Sequence, residues 1–357
     1  MLKFLEKVRV VGVARRNSYF MPLCGLLGLL SSSPSLATTK APPPPPRSPQ
    51  CELISKGPGV ALQTQEILLH NFLNEWLDAV RTDQWSRIEG FFHPRAKRTK
   101  DLGEKIKMIL KNRYDVPWQF SVFRVWRITT PEAHKAILDS CPDASGASII
   151  VQNGYETQYM VWLQIMGQNE LGRMMIAVAP DKGRMYATAL RLQQWTQQGE
   201  DAEAWVQKAE TAFKADQKIP AYFALDVAHK LLAGEDLLIY PRQRQILDAR
   251  NGIVSQAELV KKLNEALNVK SIAYIGSLLT KEGTGILLRE VIEKQEPTSD
   301  LQKRCLSRGE ALIKLGWLAA GKTGLRCNYI FPGMDPERDS PMGGLYFAPE
   351  DLVNTKK

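Results

Sequence analysis

The 357-residue chain is poor in the side chains that build metal centres. It has four histidines, His70, His93, His134 and His229, scattered along its length. It has five cysteines, none in a C-x-x-C pair and none at zinc-ligand spacing with a histidine. No metal site and no cofactor are expected. Long apolar runs are also lacking. The stretch from Tyr19 to Leu30 is uncharged and largely apolar, but it is too short to cross a bilayer comfortably, since a spanning helix needs ~20 residues. Low-complexity sequence is confined to one proline run, and the composition, 44% apolar and 24% charged, is that of an ordinary globular protein.

Before the apolar stretch stand Lys3, Lys7, Arg9, Arg15 and Arg16, and after it Ser35-Leu36-Ala37 offers small residues at both positions that a signal peptidase reads. Residues 1–37 therefore read as a cleaved signal peptide, which predicts an exported, periplasmic or extracellular protein. An uncleaved N-terminal anchor, the sole membrane contact expected, and an organelle transit peptide stay open. Arg15-Arg16 lacks the apolar residues that a twin-arginine motif wants behind it, and Cys24 lacks the small residue that precedes an acylated cysteine. Residues 38–64 read as a proline-rich linker, because consecutive prolines fix φ and hold the chain extended.

The formal charge is +9. Residues 1–37 carry five cations and one anion, so about +5 stays with the mature chain, too little for a nucleic-acid footprint by itself. The densest basic cluster, Arg95, Lys97, Arg98, Lys100, Lys105, Lys107, Lys111 and Arg113, has no interleaved aromatic. It reads as a solvated helix face, with an anionic partner surface as the other option.

About 300 residues remain, enough for two domains. Leu69, Phe72, Leu73, Trp76, Leu77 and Val80 step by three and four along one helix face. Asp83 opens a second helix with Trp85, Ile88 and Phe91 inward, and Asp101 with Glu104 forms a capping box for a third. From Trp118 the period becomes two. WQFSVFRVWRI places Trp118, Phe120, Val122, Trp126 and Ile128 on one face, with Arg124 among them. Pro131 to Asp139 reads as a short helix. ASIIVQ and YETQYMVWLQIM, joined at Asn153-Gly154, read as a hairpin, and RMMIAVA and RMYATALRLQ complete five strands.

Helices, a strand, a short helix and a meander of four strands resemble the nuclear transport factor two-like cone fold, shared with SnoaL-type cyclases and ketosteroid isomerases. FLNEWLDAVRTDQWSRIEGFFHP and YMVWLQIMGQNELGRMMIAVAPDKGRMYATALRLQQW carry the resemblance. It implies an α+β domain over residues 65–199, its N-terminal helices packed on a curved, mainly antiparallel five-stranded sheet with a pocket at the open end. Enzymes of that family place an Asp or His base in the pocket. Here Glu156 is the one carboxylate expected within a strand, so no acid/base pair is visible. A guanidinium on an apolar face must snorkel, pair with a carboxylate or line a pocket. Arg124, with Trp126 and Trp162 as an aromatic wall and His93 at the mouth, is the expected ligand site.

Residues 200–357 read as a mostly helical domain with a small strand element: a helical hairpin broken at Pro220, a helix from Ser255 to Leu267, and a turn at Lys281-Glu282-Gly283 between two strands. GWLAAGKT, Gly316 to Thr323, fits G-x-x-x-x-G-K-[ST]. A phosphate loop follows a buried strand and opens a helix. This stretch instead ends an amphipathic helix, expected to stop at Gly321, and precedes the strand-like GLRCNYIFPG, so ATP binding is not expected. Four cysteines follow residue 37. A strand folding back along that helix would bring Cys327 to Cys305, which predicts a disulfide; two free thiols and pairings with Cys51 or Cys141 stay open. The expected function is that of an exported non-catalytic module binding a small ligand or a protein partner. The other reading is a cone-fold isomerase, cyclase or hydratase using His93 or another carboxylate.

Overall fold

The computed structural model describes residues 48–56, 66–94, 101–114, 118–131, 137–139, 141–144, 146–152, 154–233, 237–319 and 322–352. The leader, its cleavage site, the proline run, His134, Asn153, Gly321 and the basic residues from Arg95 to Lys100 lie outside them. The chain is α+β, and the described residues form seven α-helices, one 3-10 helix and twelve strands in three sheets.

The largest sheet is antiparallel and five-stranded, in the order β1-β2-β5-β6-β7. Its members are β1 (Gln50–Lys56), β2 (Gln119–Thr129), β5 (Thr157–Met166), β6 (Leu171–Asp181) and β7 (Arg184–Gln194). The count agrees with expectation, but the membership does not. Gln50–Lys56, assigned above to the linker, is an edge strand held by Arg127, which bonds Glu52 at 2.5 Å and Glu66 at 3.1 Å. ASIIVQ does not join the sheet. Its strand β4 (Ser148–Ile150) pairs with β3 (Ile137–Leu138), where a helix is expected, and with β8 (Leu238–Ile239) in a small sheet of their own. The side chain of Gln158 takes the place of a hairpin partner, bonding Gln152 N and O at 2.9 Å each.

On one face of the large sheet pack α1 (Ile67–Arg81), a 3-10 helix (Trp85–Phe91) and α2 (Leu102–Arg113). The apolar stripe of α1 is buried, as its period requires, and Trp85, Ile88 and Phe91 turn inward. The caps are not the expected ones. Asp83, at φ 57°, accepts the Trp85 indole N–H at 2.6 Å instead of capping a helix. Asp101 is left-handed, and Glu89 reaches across to accept the Leu102 N–H of α2 at 2.8 Å. The opposite face is covered as well, by the three-stranded sheet with Tyr240. Burial on both faces is why β6 reads as a continuous apolar run.

Helices α3 (Ala202–Lys214), α4 (Lys218–Leu231) and α5 (Pro241–Ile253) form the next layer. The break between α3 and α4 falls at Ala215 to Gln217, with Asp216 at φ 58°, and not at Pro220, which sits in the first turn of α4. Proline is tolerated there because first-turn N–H groups have no intrahelical partner. The strand component of the C-terminal part is larger than expected. A four-stranded sheet, in the order β12-β11-β10-β9, comprises β9 (Ile272–Thr280), β10 (Gly283–Val291), β11 (Gly324–Ile330) and β12 (Gly343–Phe347). Helices α6 (Gln256–Leu267) and α7 (Thr298–Lys314) pack on it. β10 and β11 are parallel, linked through α7, and the Cys305–Cys327 disulfide pins that crossover helix to β11 with the Cα atoms 5.9 Å apart. A second disulfide, Cys51–Cys141, joins β1 to the segment before β4 at 5.3 Å. Both bonds fit export to an oxidising compartment. No helix of the described residues is long and apolar enough to cross a membrane.

The outer edge of β9 would expose unpaired backbone groups, and side chains occupy them. Asn264 bonds both the N–H and the C=O of Ile272, at 3.1 and 2.9 Å, and Gln256 donates to Ile275 O at 2.8 Å. Asp226 of α4 accepts from Ser277 N at 2.7 Å and Ser277 Oγ at 2.6 Å, and it pairs with Arg250 and with Lys230 at 2.9 Å. Burial alone would favour the neutral acid, but Lys230 and Arg250 outweigh it and hold the Asp226 carboxyl well below the usual carboxylate range.

Candidate ligand-binding site

Arg124 owes its position to a β-bulge. Val122 pairs with Leu163 and Arg124 with Trp162, leaving Phe123 as an extra residue in β2. One inserted residue reverses the alternation that follows it. Trp118, Phe120, Val122 and Val125 accordingly pack toward α1 and α2, while Phe123, Trp126 and Ile128 pack on the opposite face. The single apolar face expected for β2 is therefore split between two cores. Arg124 is half-buried on the Trp126 side, its guanidinium 4.5 Å from the Phe123 ring centroid and 5.5 Å from that of Trp162. Its charge also helps hold the Asp143 carboxyl low, after Lys56, which bonds Asp143 at 2.7 Å.

Trp126 and Trp162 lie 6.3 Å apart, the wall that the sequence expects, but both are buried, and the Trp126 indole N–H is taken by Pro142 O at 2.7 Å. They back the site without forming its surface. Trp195 extends the wall, 4.7 Å from Trp162.

The residue that sequence reasoning missed is Arg173. It is 1% exposed, on the same face as Trp162 and Met175. Its Nε donates to Gln193 Oε1 at 2.5 Å, Nη1 to the Tyr240 hydroxyl, and Nη2 to Leu231 O at 3.4 Å. The guanidinium lies 4.6 Å from the Trp195 ring and 4.8 Å from that of Tyr240. No carboxylate of the described residues pairs with it. Burial lowers its pKa from the usual arginine value, yet a guanidinium stays protonated in proteins, so a full positive charge sits within aromatic rings and neutral acceptors. These bonds hold the end of α4 and Tyr240 against the sheet. The signal for Arg173 was the one that marked Arg124, an arginine inside an apolar strand.

His93 joins a different set. A backbone bridge links Phe92 to Ala187, and His93 N donates to Ala187 O at 2.9 Å. Its Nε2 lies 3.2 Å from Asp181 Oδ2, and its ring meets the edges of Tyr155 and Tyr186 at 6.0 and 5.3 Å. Asp181 stands at the end of β6, before a tight turn in which Lys182 and Gly183 both have positive φ.

GWLAAGKT opens at the C-terminal end of α7. Gly316, at φ 68°, is left-handed, five positions before the expected stop, with Gly316 N bonded to Ile313 O and Trp317 N to Leu312 O. Strand β11 follows, so the order is helix then strand, the reverse of a phosphate loop. No family model, no curated protein and no solved structure matches the chain.

Proposed function

We propose that this chain is an exported, non-catalytic binding module that recognises a small ligand or a protein partner. In this reading residues 65–199 are a cone of the nuclear transport factor two-like kind, and the C-terminal part fills the space that enzymes of that family leave open. One observation carries it. Arg173, 1% exposed, bonds Tyr240 and the last turn of α4 across the sheet face. Recognition then falls to the margin of that layer, where Arg124 is half-buried over Phe123 and Trp162. A guanidinium bordered by aromatic rings is suited by charge and shape to an anionic or carbonyl group. The N-terminal leader and the two disulfides support export.

Native mass spectrometry of protein purified from its oxidising compartment tests this. A retained small molecule or partner protein, lost in Arg124→Met while the fold persists, is the expected result. An Arg124→Met chain that keeps the same adduct, or a wild-type chain that carries none, counts against it. The second reading, a cone-fold isomerase, cyclase or hydratase, is favoured by the 3.2 Å contact of His93 with Asp181, an acid/base pair of the required type. Turnover abolished by His93→Gln would establish that reading in place of the first.

A further inference from the structure

A cleft of about 420 Å³ lies between the end of α2 and the four-stranded sheet. Arg113 and Asn112 enter it from α2, Lys281 and Glu282 from the β9–β10 turn, Arg326 from β11 and Tyr346 from β12. Three cations face one carboxylate. None of the three makes an ion pair among the described residues, and the one bond formed by the Arg326 guanidinium is to Asn328 Oδ1 at 3.1 Å. The wall is built by the sheet. Gly324 has no side chain, and a Cβ there would meet the Tyr346 hydroxyl at 2.7 Å, so the Tyr346 ring lies across β11. A cation in the last turn of α2 offsets the negative end of that helix. That accounts for Arg113 but not for Lys281 and Arg326, which come from other elements.

We propose that this cleft binds a phosphate group, either on a soluble phosphoester or on a lipid headgroup. The net charge of +2 on its lining matches a phosphomonoester, which carries about −1.5 to −2 at pH 7. Two guanidinium forks with one ammonium suit tetrahedral oxygens, and Asn112 and Tyr346 add neutral hydrogen-bonding groups at the rim. The cleft is distinct from the Arg124 site. Lys105 and Lys111, also exposed on α2, add to the positive field near it.

Isothermal titration calorimetry of the disulfide-bonded protein with glycerol phosphate tests the soluble source. Sedimentation with vesicles of phosphatidic acid in phosphatidylcholine, against phosphatidylcholine alone, tests the lipid source. Saturable binding in either arm, weakened by salt and lowered at least about tenfold in the double variant Arg113→Gln, Arg326→Gln, is expected. Lys281→Gln, on an exposed turn, should weaken binding without disturbing a helix. Lys303→Gln, the same charge change on α7, should leave it intact. Absence of binding in both arms, binding unchanged in the cleft variants, or an equal loss in Lys303→Gln would overturn the proposal.

Discussion

Helix α4 is held at two points, and the two attachments follow opposite physical rules. Toward the four-stranded sheet it presents Asp226, a buried anion with Lys230, Arg250 and Ser277 around it. Toward the five-stranded sheet it presents a carbonyl, Leu231 O, to Arg173, a buried cation among neutral acceptors and aromatic rings. The first contact is charge against charge. Removing the anion would take from Lys230, Arg250 and a strand-edge N–H the carboxylate they share. The second is charge against π-faces and dipoles, so a long apolar side chain could keep part of the packing. The contacts therefore differ in what their loss exposes, although both buried groups carry one charge.

That difference sets an order of effects. Asp226→Ala should cost the most, about 3–5 kcal/mol, the range seen when one partner of a buried ion pair is removed. Urea unfolding measures it, and a loss of under about 1 kcal/mol would make the network incidental. Arg173→Met should cost less, about 2 kcal/mol, because the lost cation–π and hydrogen-bond energy is partly offset by relief of desolvation. If it cost more than Asp226→Ala, the ranking of the two contacts would be reversed.

The smallest effect comes from pH. His229, beside Arg250, has its pKa lowered to about 4, by burial first and then by Arg250. The unfolded chain binds this proton near pH 6.5 and the folded chain does not, so the contribution is complete above about 6.5 and is lost as pH falls toward 4. The loss should be on the order of 1 kcal/mol, since the ring is half-buried and solvent screens part of the shift. In His229→Gln the stability profile between those values should flatten. The Asp226 contribution is lost at lower pH, as pH falls below the ordinary carboxylate value toward the depressed folded one. The acid limb below about 4 should therefore survive in His229→Gln and disappear in Asp226→Asn.

The two regions were not equally legible in the sequence. The α1 stripe, from Leu69 to Val80, and the turn-bounded apolar runs of β5 to β7 are local patterns, and they pointed to the large sheet and the helices on one of its faces. The bulge at Phe123 is a tertiary choice. It follows from pairing with Trp162 and Leu163, which no window on β2 contains, so Arg124 was identified while its face was misread. β1 was hidden beside the proline run, because QCELISK joins the sheet only through its pairing with β2. Asn153-Gly154 has the local form of a hairpin turn, yet β4 finds its partners in Ile137–Leu138 and in Leu238–Ile239, some 90 residues downstream. In the C-terminal part the β9–β10 turn and β11 were readable, but α5 and β12 were not anticipated. Asp226, Lys230 and Arg250 looked like ordinary helix charges, because what singles them out is Ser277 on a distant strand.

Hydrogen exchange read by mass spectrometry on wild type, Asp226→Ala and Arg173→Met tests the two-sided attachment of α4 most directly, and with it the closure of the sheet face on which the proposed role of Arg124 rests. Amides of α4 should exchange faster in both variants. Those of β9, Ser277 included, should quicken in Asp226→Ala alone, and those of β5 to β7 with Tyr240 in Arg173→Met alone. Protection of α4 unchanged in either variant, or a β9 that stays fully protected in Asp226→Ala, would contradict the account.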